Sequence, residues 1–369
     1  MPPTTAFTAA DRAFMTRALA LAERGLRSTT PNPRVGCVIV GDGAVLGEGW
    51  HERAGLPHAE VNALADAAAR GHDVRGATLY VTLEPCSHTG RTPPCTDAVI
   101  AAGVKRVVAA MADPNPAAAQ GASRLRAAGI DVELGLMEDE AREQNIGFVA
   151  RTTRGRPWVR MKAAASLDGR TALANGESRW ITGPEARADG HAFRARACAI
   201  LTGIGTVRHD DPQLTVRAVE TARQPLRIVV DRRGETPPGA QVLAGGNALV
   251  VTNGARNPAW GHGVDVLALP DATGRVDLAA MMRELGARGV NELHVEAGAG
   301  LNGALLAAGL VDELLLYLAP CVIGDPARGV AGFGEGLARL ADRVALAIHS
   351  VERIGADLRI LARVKSKEN

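Results

Sequence analysis

In the first part of the chain, segments whose apolar residues recur at helical spacing alternate with segments typical of strands. From Asp11 to Gly25 apolar residues recur at helical spacing, and PNPRVGCVIVGDGAVLGEGWH predicts two strands joined by Gly-Asp-Gly. The string HAEVNALADAAARG predicts a helix that stops at Gly71, and ATLYVTLEP, TDAVIAAG and VKRVVAAM predict a strand, a helix and a strand. Strands alternating with helices predict a sheet covered on both faces, the α/β class.

The same alternation returns after a polar interruption. The segment LMEDEAREQNIGFVARTTRGRP is charged and ends in Arg-Gly-Arg-Pro, so we expect a domain boundary within 146–156 and domains at 1–150 and 151–369. Strands are predicted beyond it in WVRMKAAASLDG, CAILTGIGT, LRIVVD, ALVVTN, VDVLALP, NELHVEAGAG and VDELLLYLAP.

Composition narrows the class of protein. A length of 369 residues favours two domains, and 46% hydrophobic with 22% charged residues is the composition of a folded chain. The net charge of +2 and the 3% aromatic content give no basis for a nucleic-acid partner. No apolar run is long enough for a membrane helix, and the N-terminus lacks a basic start followed by an apolar stretch. We therefore expect a cytoplasmic enzyme with no nucleic-acid or membrane partner. A small-molecule substrate and a homo-oligomeric state are further expectations.

Histidine and cysteine concentrate in one stretch of the first half. Residues 51–97 contain four of the nine His and two of the five Cys, including His58 and the pair Cys86 and Cys95. One imidazole and two thiolates form a tetrahedral zinc site with an open fourth position, the catalytic arrangement. Glu60, two residues after His58, could move a proton from water to a departing amine, as the glutamate of zinc deaminases does.

Other interpretations of this stretch stay open on sequence alone. His88 or His51 could close the zinc site as a fourth ligand, or Cys86 and Cys95 could be ordinary core residues. An odd number of cysteines in a long chain does not suggest a disulfide framework.

A glycine-rich string in the second half could hold a pyrophosphate. The run from Gly298 to Gly303 fits G-x-G-x-x-G, follows the predicted strand ELHVEA and opens the helical stretch ALLAAG. The acidic residues Asp312 and Glu313 come too early for a Rossmann unit, so a dinucleotide site is expected without that fold. A turn that needs glycine only for tight packing is the alternative.

Longer strings carry a family resemblance. The HAE and PC strings resemble the cytidine deaminase superfamily, with the departure that eight residues rather than two separate Cys86 from Cys95. PCSHTGRTPPC with PNPRVGCVIV resembles the deaminase half of the bifunctional riboflavin-biosynthesis deaminase/reductases. MKAAASLDGRTAL, GESRWITG, HAFRARACAILTGIGTVRHDDPQLTVR and LNGALLAAGLVDELLLYLAP resemble its reductase half. The resemblance spans nearly the whole chain and implies a three-layer cytidine-deaminase-like domain followed by a dihydrofolate-reductase-like α/β domain.

The resemblance also implies two reactions and their site residues. The first is zinc-dependent hydrolytic deamination of 2,5-diamino-6-(5-phosphoribosylamino)pyrimidin-4-one, and the second is NADPH-dependent reduction of its ribosyl group to ribityl. In the deaminase half Asn32 and His51 would contact substrate, although an Asx turn and a solvated loop histidine are equally good interpretations. The residues implied for NADPH are Ala164, Trp180, Thr206, Asp210, Gly298, Ala299, Gly300, Leu301, Asn302, Gly303 and Ala304. Those implied for the reductase substrate are Ser178, Arg194, Leu214, Arg217 and Glu296.

Residue chemistry agrees with part of this assignment. Arg194 and Arg217 suit a ribose phosphate, and Trp180 offers a flat wall for a ring, although surface Arg and core Trp are the ordinary alternatives. Arg232 or Arg233, after the strand LRIVVD, could pair with the 2′-phosphate of NADPH.

Some roles stay open on sequence alone. Lys162 or Glu296 could assist proton transfer in the reduction. Cys198 has no role assigned, and Cys321 stands where the family resemblance leads us to expect Lys.

Two other functions remain as alternatives. The chain could be a nucleoside or tRNA deaminase with a C-terminal binding domain, which predicts a basic, aromatic-rich surface. It could also be a non-catalytic binding module stabilised by zinc, which predicts a fourth protein ligand.

Overall fold

The chain folds into two compact units. The computed structural model describes residues 7–90, 93–116, 118–334 and 336–365. The units are Met1–Arg154 and Gly155–Asn369, so the predicted division at 150/151 falls inside a helix that runs to Arg154.

The first unit is built on a five-stranded sheet. Its elements are α1 (Ala9–Glu23), β1 (Gly36–Gly41), β2 (Ala44–Trp50), α2 (Ala59–Ala69), β3 (Thr78–Val81), α3 (Cys95–Ala102), β4 (Arg106–Ala109), α4 (Gly121–Ala127), β5 (Asp131–Leu134), α5 (Glu138–Gln144) and α6 (Ile146–Arg154). The strand order is β2-β1-β3-β4-β5, with β1 antiparallel to β2 and β3, and β3, β4 and β5 parallel. The predicted helices and strands of this half are confirmed.

Helices cover both faces of this sheet. Gly36 lies so close to α1 that a Cβ there would stand 2.0 Å from the carbonyl oxygen of Ala18. On the opposite face a Cβ at Gly49 would stand 2.4 Å from the backbone nitrogen of Ala63 in α2. Glycine at these two positions therefore allows helix and strand backbones to approach closely, which gives three layers.

The polar segment expected to be a linker is helical instead. It forms α5 and α6, and Arg142 bonds to Glu138 one turn earlier. Asn145, between the two helices, accepts the Arg34 N–H at 2.7 Å and donates to the Arg34 carbonyl at 2.9 Å. The segment also buries Phe148, so its polar side chains form the outer face of helices that close the first unit.

The second unit is built on a nine-stranded sheet. Its elements are β6 (Trp158–Ser166), β7 (Arg170–Leu173), α7 (Pro184–Arg196), β8 (Ala199–Gly203), α8 (Ile204–Asp210), β9 (Leu226–Val230), β10 (Ala248–Thr252), β11 (Val264–Ala268), α9 (Leu278–Ala287), β12 (Glu292–Val295), α10 (Ala299–Ala307), β13 (Glu313–Ala319), β14 (Ala327–Gly329), β15 (Leu346–Ile354) and β16 (Asp357–Val364). The strand order is β11-β10-β9-β8-β12-β6-β13-β16-β15, parallel as far as β13 and antiparallel beyond it.

The predicted strands of the second half are present, although one is shorter than predicted and four strands (β7, β14, β15 and β16) were not predicted. The string CAILTGIGT does not continue as a strand, because β8 ends at Gly203 and α8 begins at Ile204. The hairpin of β15 and β16 was not predicted from the sequence.

Each face of the second sheet has its own helices. The Tyr317 hydroxyl donates to Asp189 Oδ2 at 2.6 Å, which ties β13 to α7 on one face. On the other face Met281 of α9 and Leu305 of α10 belong to the core cluster that includes Val159 of β6. Within the described residues no helix is long and apolar enough to cross a bilayer.

The segments that follow β8 and β12 lie side by side. The two strands are parallel neighbours, so the segments that follow them emerge at the same edge of the sheet. A Cβ at Gly203 would stand 3.3 Å from the Leu301 side chain, and one at Gly298 would stand 3.9 Å from Thr206 Oγ1. Ligands of open α/β sheets bind at the carboxyl ends of strands, which makes this edge of the sheet the expected position of a cofactor.

Candidate active sites

The first site begins at the N-terminus of α2. His58 is the N-cap residue of this helix and Glu60 lies in its first turn, so both side chains sit at the positive end of the helix dipole. Cys95 is the first residue of α3, and its backbone N–H donates to Cys86 Sγ at 3.3 Å. Two helix N-termini therefore converge on the sulfur atoms, where they favour thiolate.

The three predicted ligands come together. His58 Nδ1 lies 3.1 Å from Cys95 Sγ and 3.6 Å from Cys86 Sγ, and all three ligand atoms lie within 4.8 Å of one another. One nitrogen and two sulfur donors fit tetrahedral zinc. Among the described residues, these three side chains are the one group of His, Cys, Asp and Glu close enough to share a metal ion. No fourth side chain of these types belongs to the group.

Glu60 is buried beside the ligands and outside their set. It is 3% exposed, and burial raises its pKa to about 7, while the neighbouring His58 acts in the opposite direction. Burial and the charge of Glu60 raise the pKa of Cys37, a buried thiol of β1. A carboxyl group that can hold or release a proton near neutral pH is suited to general acid and base work.

Asn32 and His51 form a pair rather than two independent contacts. Asn32 Nδ2 lies 3.0 Å from His51 Nε2, and His51 Nδ1 lies 3.0 Å from the Pro57 carbonyl oxygen. An amide NH₂ can only donate and a carbonyl can only accept, so His51 carries its proton on Nδ1. The ring is 2% exposed, burial lowers its pKa, and it meets the His58 ring edge-on at 5.2 Å.

The structure adds a carboxyl group that the sequence reasoning missed. Burial raises the pKa of Asp113 to about 6, with further contributions from Glu84 and from Cys86, one of the predicted metal ligands. The Asp113 backbone N–H donates to Glu84 Oε2, and Asp113 Oδ1 accepts the N–H of Asn115. Its signal in the sequence was an acidic residue at the end of a buried strand, within Asp-Pro-Asn-Pro.

In the second unit two predicted substrate residues bind each other. The Arg194 guanidinium donates to both oxygens of Glu296, and its Nη1 donates to the Thr215 carbonyl. Although burial alone would raise the pKa of Glu296, Arg194, His294 and Lys162 hold it well below its usual value. Burial lowers the pKa of Lys162, which is on β6. The pairing keeps Glu296 ionised, a state in which it can accept hydrogen bonds but cannot donate a proton.

The glycine string has two roles along its length. Gly298 caps α10 and Gly300 faces open space, so the first turn offers free backbone N–H groups to an anion. A Cβ at Gly303 would stand 1.8 Å from the Gly332 carbonyl oxygen, so glycine there is required by packing. The buried Asn302 side chain donates to the carbonyls of Ala297 and Val330. The packing interpretation therefore holds for the end of the string, while the start of the string stays open to the predicted pyrophosphate.

The remaining predicted reductase residues differ in accessibility. The Trp180 ring is 70% exposed and lies 4.6 Å from the Arg187 guanidinium. The Leu214 side chain is buried, so a contact of this residue with a ligand would have to involve its backbone. Asp210, at the end of α8, is joined through its carbonyl to Arg179 at 2.6 Å. The half-buried residues of this set are Ala164, Ser178, Thr206 and Asp210.

The two arginines considered for the 2′-phosphate are not equivalent. Arg233 forms an ion pair with Glu235 at 2.7 Å, and Arg208 pairs with the same carboxylate. Arg232 is exposed and has no ion pair with any residue in the described part of the chain.

Comparisons with known proteins match a different family to each unit. The family described as the cytidine and deoxycytidylate deaminase zinc-binding region matches residues 8–111, and the RibD C-terminal domain matches residues 157–360. The riboflavin biosynthesis protein RibD of Escherichia coli is 49% identical over 94% of this chain and 98% of that protein. The RibD of Haemophilus influenzae is 44% identical over 96% and 97%.

Solved structures share the fold of the whole chain. RibD of Acinetobacter baumannii has a TM-score of 0.88 at 42% identity, covering 97% of this chain and 99% of that one. A Thermotoga maritima diaminohydroxyphosphoribosylaminopyrimidine deaminase/5-amino-6-(5-phosphoribosylamino)uracil reductase has a TM-score of 0.87 at 35% identity, covering 96% and 99%.

Fold and sites together define a bifunctional enzyme, a zinc-dependent deaminase joined to an NADPH-dependent reductase. The chain belongs to the RibD family of riboflavin biosynthesis. The predicted fold class and cofactors, zinc and NADPH, are thereby confirmed. The comparisons favour this function over a nucleoside or tRNA deaminase and over a non-catalytic zinc module.

Proposed function

We propose that the first unit hydrolytically deaminates 2,5-diamino-6-(5-phosphoribosylamino)pyrimidin-4-one and that the second unit reduces the ribosyl group of the product to ribityl. The observation that carries the proposal is the three-ligand cluster with the buried Glu60 beside it. An open ligand position and an adjacent carboxyl group are the two requirements of hydrolytic deamination at a ring carbon.

In the first unit His58, Cys86 and Cys95 would hold zinc, which when bound supplies a Lewis acid that makes water a nucleophile near neutral pH. Glu60 would accept a proton from water and deliver it to the departing amine. Asn32 would contact the pyrimidine, and His51, whose two ring nitrogens are already hydrogen bonded, would fix the Asn32 amide.

In the second unit the start of α10, from Gly298 to Leu301, would hold the pyrophosphate of NADPH, which supplies the hydride. Trp180, Thr206 and Asp210 would border the cofactor. Because Glu296 is held ionised by Arg194, Lys162 is the better placed of the two residues considered for proton transfer.

The experiment that tests the whole proposal follows NADPH absorbance after the purified deaminated intermediate is added. We expect oxidation with this intermediate and ammonia release with the diaminopyrimidinone. A folded, zinc-loaded enzyme that releases ammonia but oxidises no NADPH would overturn the second half of the proposal.

Arg232 is proposed as the residue that selects NADPH over NADH, since Arg233 is already paired with Glu235. Arg232→Gln should lower kcat/KM for NADPH about tenfold or more and leave that for NADH unchanged, because only NADPH carries the 2′-phosphate. Equal losses with both cofactors would contradict this role.

The enzyme is proposed to be a homo-oligomer. One face of the β15–β16 hairpin exposes Leu346 (38%), Ile348 (69%), Val351 (53%) and Leu358 (38%), an apolar row at the edge of the large sheet. Sedimentation velocity should find a particle larger than one chain, and Ile348→Lys should shift it toward the monomer.

A cytoplasmic location is also proposed. It is supported by the absence of disulfides among the five cysteines, since free thiols are typical of a reducing compartment. Cell fractionation tests this location.

A further inference from the structure

One side of α7 contacts two residues predicted for the reductase site, Trp180 and Glu296. Arg187, His191 and Arg194 occupy positions i, i+4 and i+7 of this helix and therefore lie on one face. Arg187 contacts the Trp180 ring, and Arg194 binds Glu296. His191 lies between these contacts and is half-buried, as both arginines are.

A backbone contact fixes the tautomer of His191. The backbone N–H of Arg217 donates to His191 Nδ1 at 3.3 Å. A ring nitrogen that accepts a hydrogen bond carries no proton, so the neutral imidazole must carry its proton on Nε2. Among the described residues Nε2–H has no hydrogen-bond partner, so this donor is available to a ligand.

The surroundings of His191 are cationic. Burial lowers its pKa to about 4, and Arg194, Arg217 and Lys162 act in the same direction, while Glu296 opposes them. The ring is therefore neutral at physiological pH. Three positive groups and one carboxylate leave two positive charges around it, and a phosphate monoester carries about two negative charges.

The Arg217 side chain is held in place at the same point. Its Nη1 donates to Gln213 Oε1 and to Thr215 Oγ1, both at 2.8 Å. The backbone of this residue orients His191, and its side chain supplies one of the charges, so the ring and the guanidinium form one preorganised group.

We propose that His191 is a further substrate-binding residue of the reductase site, and that its Nε2–H donates a hydrogen bond to an oxygen of the phosphate monoester of the substrate. The inference rests on the proposed function, which gives the second unit a phosphorylated ribosyl substrate. A neutral imidazole donates a hydrogen bond to the phosphate without adding another positive charge to the site. In the absence of substrate, such a charge would have no anion to neutralise it.

The first test compares His191→Leu, which removes the donor, with His191→Gln, which keeps an N–H donor. With NADPH and the deaminated intermediate, we expect His191→Leu to raise the KM for the intermediate about tenfold or more, as for a lost hydrogen bond to a charged group. The kcat should stay within about twofold, the KM for NADPH should not change, and His191→Gln should recover most of the affinity. His262→Leu is the matched control, since His262 is exposed in the same unit.

Two probes separate phosphate from sugar recognition. Ribose 5-phosphate should inhibit His191→Leu about tenfold less strongly than the wild type, whereas inhibition by ribose should be equal in both. Equal weakening with both probes would assign the donor to a sugar hydroxyl and overturn the proposal. A rise in the KM for NADPH in place of that for the intermediate would overturn it as well.

A third measurement needs no variant. Nitrogen NMR of histidine-labelled enzyme should show an unprotonated Nδ1 and a protonated Nε2 for His191 at pH 7, with a shift of Nε2 on addition of ribose 5-phosphate. A proton on Nδ1 would refute the proposal. Failure of the proposed function would look different, because the wild type itself would then oxidise no NADPH with the intermediate.

Discussion

At the scale of single residues, reactive side chains stand where regular elements begin or end. His58 caps α2, Cys95 opens α3, and Glu296 follows the last residue of β12. Backbone N–H groups at helix starts stabilise thiolate and carboxylate, and side chains at the ends of strands reach into a cleft. Position in an element therefore sets both the charge state and the direction of these groups.

Cys86→Ser should release most of the zinc and abolish deamination, because a hydroxyl is a poor substitute for a thiolate ligand. Metal analysis of the purified variant measures the first effect, and ammonia release measures the second. Cys321→Ser is the matched control, since this thiol is exposed and outside the cluster. Full zinc content in Cys86→Ser would refute the ligand assignment.

At the scale of elements, α1 is held at its first turn. Thr8 and Asp11 form a capping box, and Asp11 also accepts bonds from the Tyr80 hydroxyl at 2.8 Å and from Arg106 at 2.6 Å. Burial alone would raise the pKa of Asp11, but these bonds hold it well below its usual range. One carboxylate thus ties the helix to β3 and β4.

The low pKa of Asp11 predicts how its contribution depends on pH. Because the folded pKa is depressed, the stabilisation is fully present above the unfolded pKa of about 4 and is lost only as the pH falls toward the folded value. Asp11→Asn should reduce the free energy of unfolding by roughly 2 kcal/mol, equally at pH 5 and pH 8. Calorimetry measures the difference, with the exposed Asp42→Asn as control. A deficit that disappears between pH 8 and pH 6 would contradict this assignment.

Two glycines of α10 should respond oppositely to the same substitution. Gly303→Ala places a methyl group against the Gly332 carbonyl and should destabilise the second unit by roughly 1–3 kcal/mol. Gly300→Ala meets open space and should be neutral or stabilising by up to about 1 kcal/mol, because alanine favours helix. Thermal unfolding of both variants compares them, and equal melting temperatures would contradict the packing role of Gly303.

At the scale of the whole molecule, the predicted deaminase residues belong to the first unit and the predicted NADPH contacts to the second. We therefore expect the two reactions to be lost separately. Each unit has its own sheet and its own apolar core, which gives each site an independent scaffold.

Glu60→Gln should keep zinc bound and lower deamination by about 10²-fold or more, while reduction of the supplied intermediate is unchanged. Asp210→Ala should weaken NADPH use and leave ammonia release intact. Measuring both half-reactions in both variants tests the division. Loss of both reactions in one folded variant would show that the sites are coupled.

The sequence by itself determined the α/β class, most of the strands, and the candidate zinc ligands that the fold then brings together. These follow from short-range information, since apolar periodicity, capping residues and motif spacing are read along the chain. The family resemblance could also be recognised from the sequence alone, because it lies in continuous strings such as PCSHTGRTPPC.

Only the tertiary structure decided which charges meet. Arg194 and Glu296 are 102 residues apart and form one ion pair, and Arg217 orients His191 from 26 residues away. The polar segment before Gly155 forms two helices because burial of Phe148 and the Asn145–Arg34 hydrogen bonds stabilise the helical conformation there. Contacts between distant residues depend on how sheets and helices are arranged in space, and local propensity carries no information about that arrangement.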